Sequence, residues 1–240
     1  MFASCEAERD SAGASKPKPA RRPPPVAPFG LHALWKAYRA CRKGKRKARD
    51  TQAYEARLLD KLVSSRDALA NAGLPGAWRP SRTFSFVVSR PKLREIHAAP
   101  FADRVVHHVL VDRLARAVRS HTLVPDEARA LQSHCRAMLA ADPTQGVRRR
   151  GAPKLFAQVP PHKRLGALGP GVGLPIGNLT SQFFANVYLN ELDQFVKHRL
   201  KARWYVRFVD DFVLLHPDPA QLLAWRGQIA EFLAQRLSLQ

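Results

Sequence analysis

Two adjacent aspartates, Asp210 and Asp211, interrupt a run of strand-forming residues and constrain the fold more than any other feature of the chain. Residues 204–209 and 212–215 are rich in aromatic and β-branched side chains, which favour extended structure. A short acidic break between two such arms predicts a β-hairpin that carries both carboxylates at its tip. The chain is therefore expected to contain a sheet as well as helices.

The paired carboxylates also predict a metal site. Adjacent negative charges repel each other, and a pair that loses solvation needs a cation to compensate it. Oxygen ligands select Mg²⁺, or Mn²⁺ in its place, and Mg²⁺ usually binds one or two carboxylates together with substrate phosphates, as in nucleotidyl transfer. Asp210 and Asp211 are accordingly the candidate catalytic and metal-binding residues. The alternative is a plain turn, since most Asp-Asp pairs in proteins are turn residues.

The segment before the hairpin predicts a loop followed by a helix. Apolar side chains recur at spacings of three and four between residues 178 and 192, after the turn at residues 175–178. Gly177 would allow the backbone to approach a base pair closely, and Gln182 on the first helical turn offers a donor and an acceptor to substrate or template. The alternative is an ordinary helix cap.

The rest of the chain is predicted to alternate helices with basic, proline-rich segments. Residues 1–28 are rich in proline and cations and predict a disordered arm. Periodicity and breaker residues predict two helices over 31–69 hinged near Gly44, a strand at 83–90, helices at 103–118 and 126–141, a basic loop at 143–173 and a final helix at 222–239.

The charge of the chain predicts a polyanionic partner. Forty Lys and Arg against nineteen Asp and Glu give a formal net charge of +21, for which nucleic acid is the leading explanation and an anionic membrane surface the second. Lys45, Arg46 and Arg149 lie in cationic runs and are candidate nucleic-acid contacts. No apolar run approaches the ~18 residues of a membrane helix, and the first residues are too polar for a signal peptide. We therefore expect a cytoplasmic protein with no membrane partner.

Three segments resemble bacterial reverse transcriptases. Phe208-Val209-Asp210-Asp211 resembles the Tyr-x-Asp-Asp box of these enzymes, and residues 173–189 are similar to the loop and helix that precede that box. Residues 90–108 are similar to the family's fingers region. The order of the segments resembles the enzymes of group II introns and diversity-generating retroelements, and the resemblance covers residues 31–239 in pieces.

The resemblance implies an RNA-directed DNA polymerase with a right-hand α/β (α+β) fold of fingers and palm. It implies an RNA template, a DNA primer or product, and deoxynucleoside triphosphates as partners. Substrate-binding roles fall on four residues: Gln182, Arg94, Phe208 and Gly177. Arg104 would lie near the template entry, and Lys92 would also contact nucleic acid. In a chain this basic, Arg90, Arg94 and Arg104 are nearly as well explained as solvated surface charges.

One part of the family pattern is missing from the sequence. These enzymes carry a first palm strand with a metal-binding Asp followed by paired aromatics, whereas Asp112, Asp126 and Asp142 all lack a strand context. The expected division is therefore a helical N-region with fingers (29–118), a helix and basic loop without that strand (119–172), and a palm (173–240) with an incomplete sheet and no thumb. We expect either an impaired reverse transcriptase, which an accessory protein could complete, or a non-catalytic nucleic-acid-binding remnant.

Overall fold

The structure is a computed structural model that describes residues 29–169 and 172–239, so the predicted arm at 1–28 lies outside the described residues. The described chain is a mixed α+β protein. The helices are α1 Leu31–Arg42, α2 Arg49–Glu55, α3 Leu58–Ala70, α4 Phe101–Ser120, α5 Pro125–Ala140, α6 Pro153–Gln158, α7 Leu179–Gln194 and α8 Pro219–Leu237. The strands are β1 Phe84–Val88, β2 Arg94–Ala98, β3 Arg148–Arg149, β4 Trp204–Phe208 and β5 Asp211–Leu215.

Helices α1 to α5 surround the first of two hydrophobic cores in the described chain, and α4 runs through it. Val105, Val106, Val109 and Leu110 form one face of α4 and are each at most 2% exposed. Burying a side chain of this size contributes roughly 1.5–3 kcal/mol. The predicted helices at 103–118 and 126–141 are confirmed as α4 and α5.

The N-terminal helices differ from the prediction at one point. The hinge near Gly44 is confirmed, since α1 ends at Arg42 and Gly44 has a φ of +74°. A second break at Arg57 separates α2 from α3, so the prediction of two helices over 31–69 is wrong. Glu55 at the end of α2 accepts a hydrogen bond from Tyr38 Oη (2.8 Å) and forms an ion pair with Arg42. These contacts fix α2 against α1, and no local pattern reveals them.

A three-stranded sheet with the order β2-β1-β3 lies beside this core. The predicted strand at 83–90 is confirmed as β1, which pairs antiparallel with β2 and parallel with β3. The loop predicted at 143–173 is wrong in part, because it contains β3 and α6. Backbone bonds from Arg148 N to Thr83 O (3.0 Å) and from Arg150 N to Ser85 O (2.8 Å) hold β3, so this strand depends on a distant partner.

The second core joins α7, α8 and the C-terminal hairpin. Helix α7 continues into a π-helical turn, Phe195–Arg199, whose Val196 packs with Leu192, Trp225 and Ile229. The predicted hairpin at 204–215 is confirmed as β4 and β5, and the helices predicted at 178–192 and 222–239 are confirmed as α7 and α8. This arrangement places the hairpin on a helical support.

Within the described part of the segment between α4 and α7, no strand pairs with the hairpin. In residues 119–169, β3 is the only strand, and it pairs with β1 rather than with β4 or β5. Asp112 lies in α4, Asp126 in the first turn of α5 and Asp142 in the turn after α5. Among the described helices, none is both long enough and apolar enough to cross a membrane.

Candidate active site at the hairpin tip

A two-residue turn brings both aspartates to the end of the hairpin. Phe208 pairs with Asp211 across the strands, which leaves Val209 and Asp210 as the turn. Val209 has a φ of +58°, a left-handed conformation that a β-branched residue rarely adopts. Such a residue costs on the order of 1–3 kcal/mol and persists only where its surroundings hold it. The turn therefore needs a specific support.

Arg207 provides that support. Its Nε and Nη2 donate to the two carboxylate oxygens of Asp193 on α7, at 2.8 and 2.6 Å. Its Nη1 donates to Asn186 Oδ1 (2.9 Å) and to the backbone carbonyl of Val209 (2.6 Å). One guanidinium thus links the strained turn to α7. Because guanidinium forks bind carboxylates in a fixed geometry, this link also orients the tip.

The charges of Arg207 and Asp193 stabilise each other. The hydrogen bond from Arg207 holds the pKa of the Asp193 carboxyl below its usual range, and Asp193 in turn raises the pKa of Arg207. Tyr205 Oη also donates to Asp193 Oδ1 at 2.7 Å, and burial followed by this bond raises the pKa of Tyr205. Asp193 is therefore ionised, and Tyr205 and Arg207 are protonated, throughout the neutral range.

The two tip aspartates are in water. Asp210 and Asp211 are both exposed, so the expectation that they lose solvation and need a cation for that reason is wrong. Within the described residues, no group of three or more His, Cys, Asp or Glu side chains is placed to hold a metal ion. Two carboxylates suit Mg²⁺ when water and substrate phosphates fill the remaining positions. The reverse-transcriptase pattern implies a third metal-binding carboxylate from the protein, and no such carboxylate lies beside Asp210 and Asp211 among the described residues.

The outward face of the hairpin is apolar. Side chains alternate along the strands, so Asp211 shares this face with Trp204, Val206, Phe208 and Val213. All of the apolar members are more than half exposed, and Phe208 is 81% exposed. The opposite face, with Tyr205 and Leu214, packs on the second core. Phe208, predicted to bind substrate, is therefore accessible and lies directly across from Asp211.

Gln182 and Gly177 lie at the start of α7. Gln182 lies on the first turn of the helix, as predicted, and its side chain is exposed. A Cβ atom on Gly177 would lie 2.7 Å from Ile96 Cγ2 and 3.2 Å from His97 O, and Gly177 has a φ of +121°. The close approach that this glycine permits is to β2 of the same chain, which corrects the physical reason inferred for it from the sequence. Neighbouring backbone supports the contact, since His97 N donates to Ile176 O at 2.8 Å.

The predicted fingers residues have different environments. Arg94 is exposed at the start of β2, opposite Val88, and Lys92 is exposed in the turn between β1 and β2. Arg104 is instead engaged within the fold, because it forms an ion pair with Asp50 and lies over the ring of Phe101. Its predicted contact with a template would have to compete with that ion pair.

The remaining predicted cations are spread over two segments. Lys45 and Arg46 are exposed in the turn between α1 and α2, and Lys45 Nζ donates weakly to Cys41 O at 3.4 Å. Arg149 is exposed on β3 and lies over the ring of Phe156, with 5.4 Å between its Cζ and the ring centroid. The predicted nucleic-acid contacts therefore belong to separate surface elements.

Sequence reasoning missed the residues that hold the tip, Asp193 and Asn186. A signal was present: alternation places Arg207 on the inward face with Tyr205, and a cation there needs an acidic partner. No protein-family model and no curated protein matches the chain. The resemblance to reverse transcriptases rests on the sequence segments named above.

Proposed function

We propose that the chain is an RNA-directed DNA polymerase of the reverse-transcriptase type with reduced activity. The observation that carries the proposal is the hairpin tip, where Asp210 and Asp211 are exposed at a two-residue turn and Arg207 fixes that turn to α7. Accessible carboxylates on a restrained backbone turn suit the metal binding that nucleotidyl transfer requires. The sequence that surrounds them, residues 173–189 and 204–215, supports the same family.

Asp210 and Asp211 are the residues that would hold Mg²⁺ or Mn²⁺. The bound ion would supply Lewis-acid stabilisation of charge on the substrate phosphates. Arg207 acts as a positioning residue, because it restrains the turn on which both carboxylates depend. Phe208 offers an exposed ring beside Asp211 for contact with a sugar or base of the primer end.

Substrate placement is assigned to exposed residues outside the hairpin. Gln182 has the donor and acceptor needed to bind a nucleotide or template base. Arg94 offers a guanidinium for the phosphates of the incoming nucleotide. Two protein carboxylates rather than three leave the metal less firmly held, so we propose slow synthesis and short products.

Primer extension tests the proposal. The full chain, with an RNA template, a DNA primer, deoxynucleoside triphosphates and Mg²⁺, should give slow extension that the double variant Asp210→Asn/Asp211→Asn reduces by at least roughly 100-fold. Asp60→Asn/Asp67→Asn is a charge-matched control, since both acids are exposed on α3. Absence of any product, or equal product from the two double variants, would contradict the proposal.

A non-catalytic nucleic-acid-binding protein is the second candidate. It is favoured by the absence of a three-ligand metal group among the described residues and by the net charge of +21. Under this alternative, the full chain binds RNA but extends no primer, and Asp210→Asn/Asp211→Asn leaves the affinity for RNA unchanged. Filter binding and primer extension on the same preparation separate the two candidates.

A further inference from the structure

A cavity of about 500 Å³ lies between the face of the β2-β1-β3 sheet and the segment that contains α6. We call it the β2–α6 cavity. Its walls include Glu95, His97, Arg149, Phe156 and Arg164. Neither tip aspartate lines it.

The floor of the cavity is formed by Glu95 and His97 of β2, which belong to a polar cluster that also includes Ser85 of β1. Glu95 and His97 share one face of β2, and Ser85 stands opposite His97 on β1. Ser85 Oγ donates to Glu95 Oε1 at 2.8 Å, and the same oxygen lies 3.5 Å from His97 Nε2. His97 is only 2% exposed, yet neither ring nitrogen has a hydrogen-bond partner among the described residues. Buried polar groups without partners are uncommon and call for an explanation such as a ligand.

Two arginines form the rim of the cavity. Arg164 donates from Nε to Val159 O (2.7 Å) and from Nη2 to Ala157 O (3.0 Å), which fixes its guanidinium in place. Arg149 is held over the ring of Phe156. A guanidinium has five donors, so each of these arginines retains donors for a ligand. Neither arginine forms an ion pair with a carboxylate among the described residues.

We propose that the β2–α6 cavity binds a phosphate monoester, such as a nucleotide or the phosphorylated end of a nucleic acid. Two guanidiniums supply charge and paired donors for phosphate oxygens, and His97 supplies a further donor from the floor. Glu95 opposes an anion, but its carboxylate already faces Ser85 and His97. Phe156 gives the cavity an aromatic wall suited to the apolar part of such a ligand.

Calorimetric titration of the full chain tests the proposal with two matched pairs of probes. One pair is adenosine 5′-monophosphate and adenosine; the other is an oligodeoxynucleotide with and without a 5′-phosphate. The phosphorylated member of at least one pair should bind at least tenfold more tightly, and the pair that responds identifies the source of the phosphate. Equal binding within both pairs would overturn the proposal.

Neighbouring arginines on β3 provide a matched comparison. Arg149 lines the cavity whereas Arg148 does not, and both are exposed. Arg149→Ala should abolish the preference for the phosphorylated probe, and Arg148→Ala, which removes the same charge, should retain it. Equal losses in the two variants would show a general attraction to polyanions and would refute a built site.

A substitution at the buried residue His97 tests the floor of the cavity. His97→Phe replaces the imidazole by an apolar ring and removes both ring nitrogens, so the chain should lose the phosphate preference while its thermal unfolding still shows a cooperative transition. Retention of the preference would overturn the role of His97. Asp210→Asn/Asp211→Asn should leave the preference intact, which separates failure of this proposal from failure of the polymerase proposal.

Discussion

Gly177 occupies a position that a side chain would disrupt. Its φ of +121° and the short distances from a Cβ at this position to β2 mean that even alanine forces apart the loop before α7 and the sheet. The contact matters because Asn178 Oδ1 also accepts from Ala99 N at 2.9 Å, next to the bond from His97 N to Ile176 O. These bonds join the N-terminal sheet to the helix that supports the hairpin.

Replacing Gly177 by alanine should therefore destabilise the whole chain. We expect Gly177→Ala to lower the free energy of unfolding by about 2–4 kcal/mol through backbone strain and overpacking. Gly227→Ala is the matched control: Gly227 is exposed within α8, has no atom within 4 Å of a Cβ, and should gain about 0.5–1 kcal/mol. Urea denaturation of both variants measures the contrast, and equal effects would contradict the packing described.

At the scale of elements, Arg207 is the charged group that ties the tip of the hairpin to α7. Arg207 is 10% exposed and Asp193 is 28% exposed, so their ion pair is only partly screened by water. Hydrogen bonds to charged groups contribute about 1.5–3 kcal/mol. Because Arg207 also binds the Val209 carbonyl, the strain of the turn is balanced by the same side chain.

The stability supplied by this pair should depend on pH in a defined direction. Arg207 lowers the pKa of Asp193, so the contribution is present above the unfolded pKa of about 3.9 and is lost as the pH falls through the lower folded value. Arg207→Gln should cost about 1–3 kcal/mol at pH 7, with the difference from wild type shrinking below about pH 4. Thermal unfolding of both proteins from pH 7 to pH 3 measures this, and a difference that stays constant with pH would count against the pair.

The elements that could be predicted from the sequence are those set by local pattern. Residues 204–215 contain both arms and the acidic break of the hairpin, and α4 shows its buried face as a periodic row. Elements held by distant partners could not be predicted in this way. β2 begins with the charged residues Arg94 and Glu95 and is extended because it pairs with β1. The two-residue strand β3 likewise depends on pairing with β1.

The candidate site could also be predicted only where local sequence determines it. The position of Asp210 and Asp211 at the tip could be predicted because it needs only a hairpin. Their exposure, and their attachment through Arg207 to Asp193, could not, because both depend on how α7 packs beneath the strands. The placement of Glu95 and His97 together in the wall of a cavity likewise requires the sheet and α6 to be assembled first.

At the scale of the whole molecule, the net charge of +21 governs encounters with polyanions. Cations on separate elements, including Lys45, Arg46 and Arg94, are exposed and would each neutralise a phosphate. Counterions are released when phosphates are neutralised, so binding weakens as salt is added. This expectation holds for both candidate functions.

RNA binding should therefore fall steeply with salt. With roughly six phosphate contacts, affinity should drop about 10³-fold between 50 and 200 mM salt. Lys45→Ala/Arg46→Ala should make the dependence shallower, by about one unit of slope for each phosphate that is no longer neutralised. Arg57→Ala/Arg66→Ala is the control, because these arginines already form ion pairs with Asp60 and Asp67. A salt-independent affinity would contradict a phosphate-dominated interface.

The apolar outward face of the hairpin sets the colloidal behaviour of the protein. In the described chain β4 and β5 pair only with each other, so each strand has an open edge beside exposed side chains such as Trp204 and Val206. Open edges with apolar neighbours are templates for sheet growth between molecules. Mutual repulsion of highly cationic copies opposes that growth, and dissolved ions weaken the repulsion. The conditions that release this protein from nucleic acid during purification are thus the conditions under which its copies aggregate most readily.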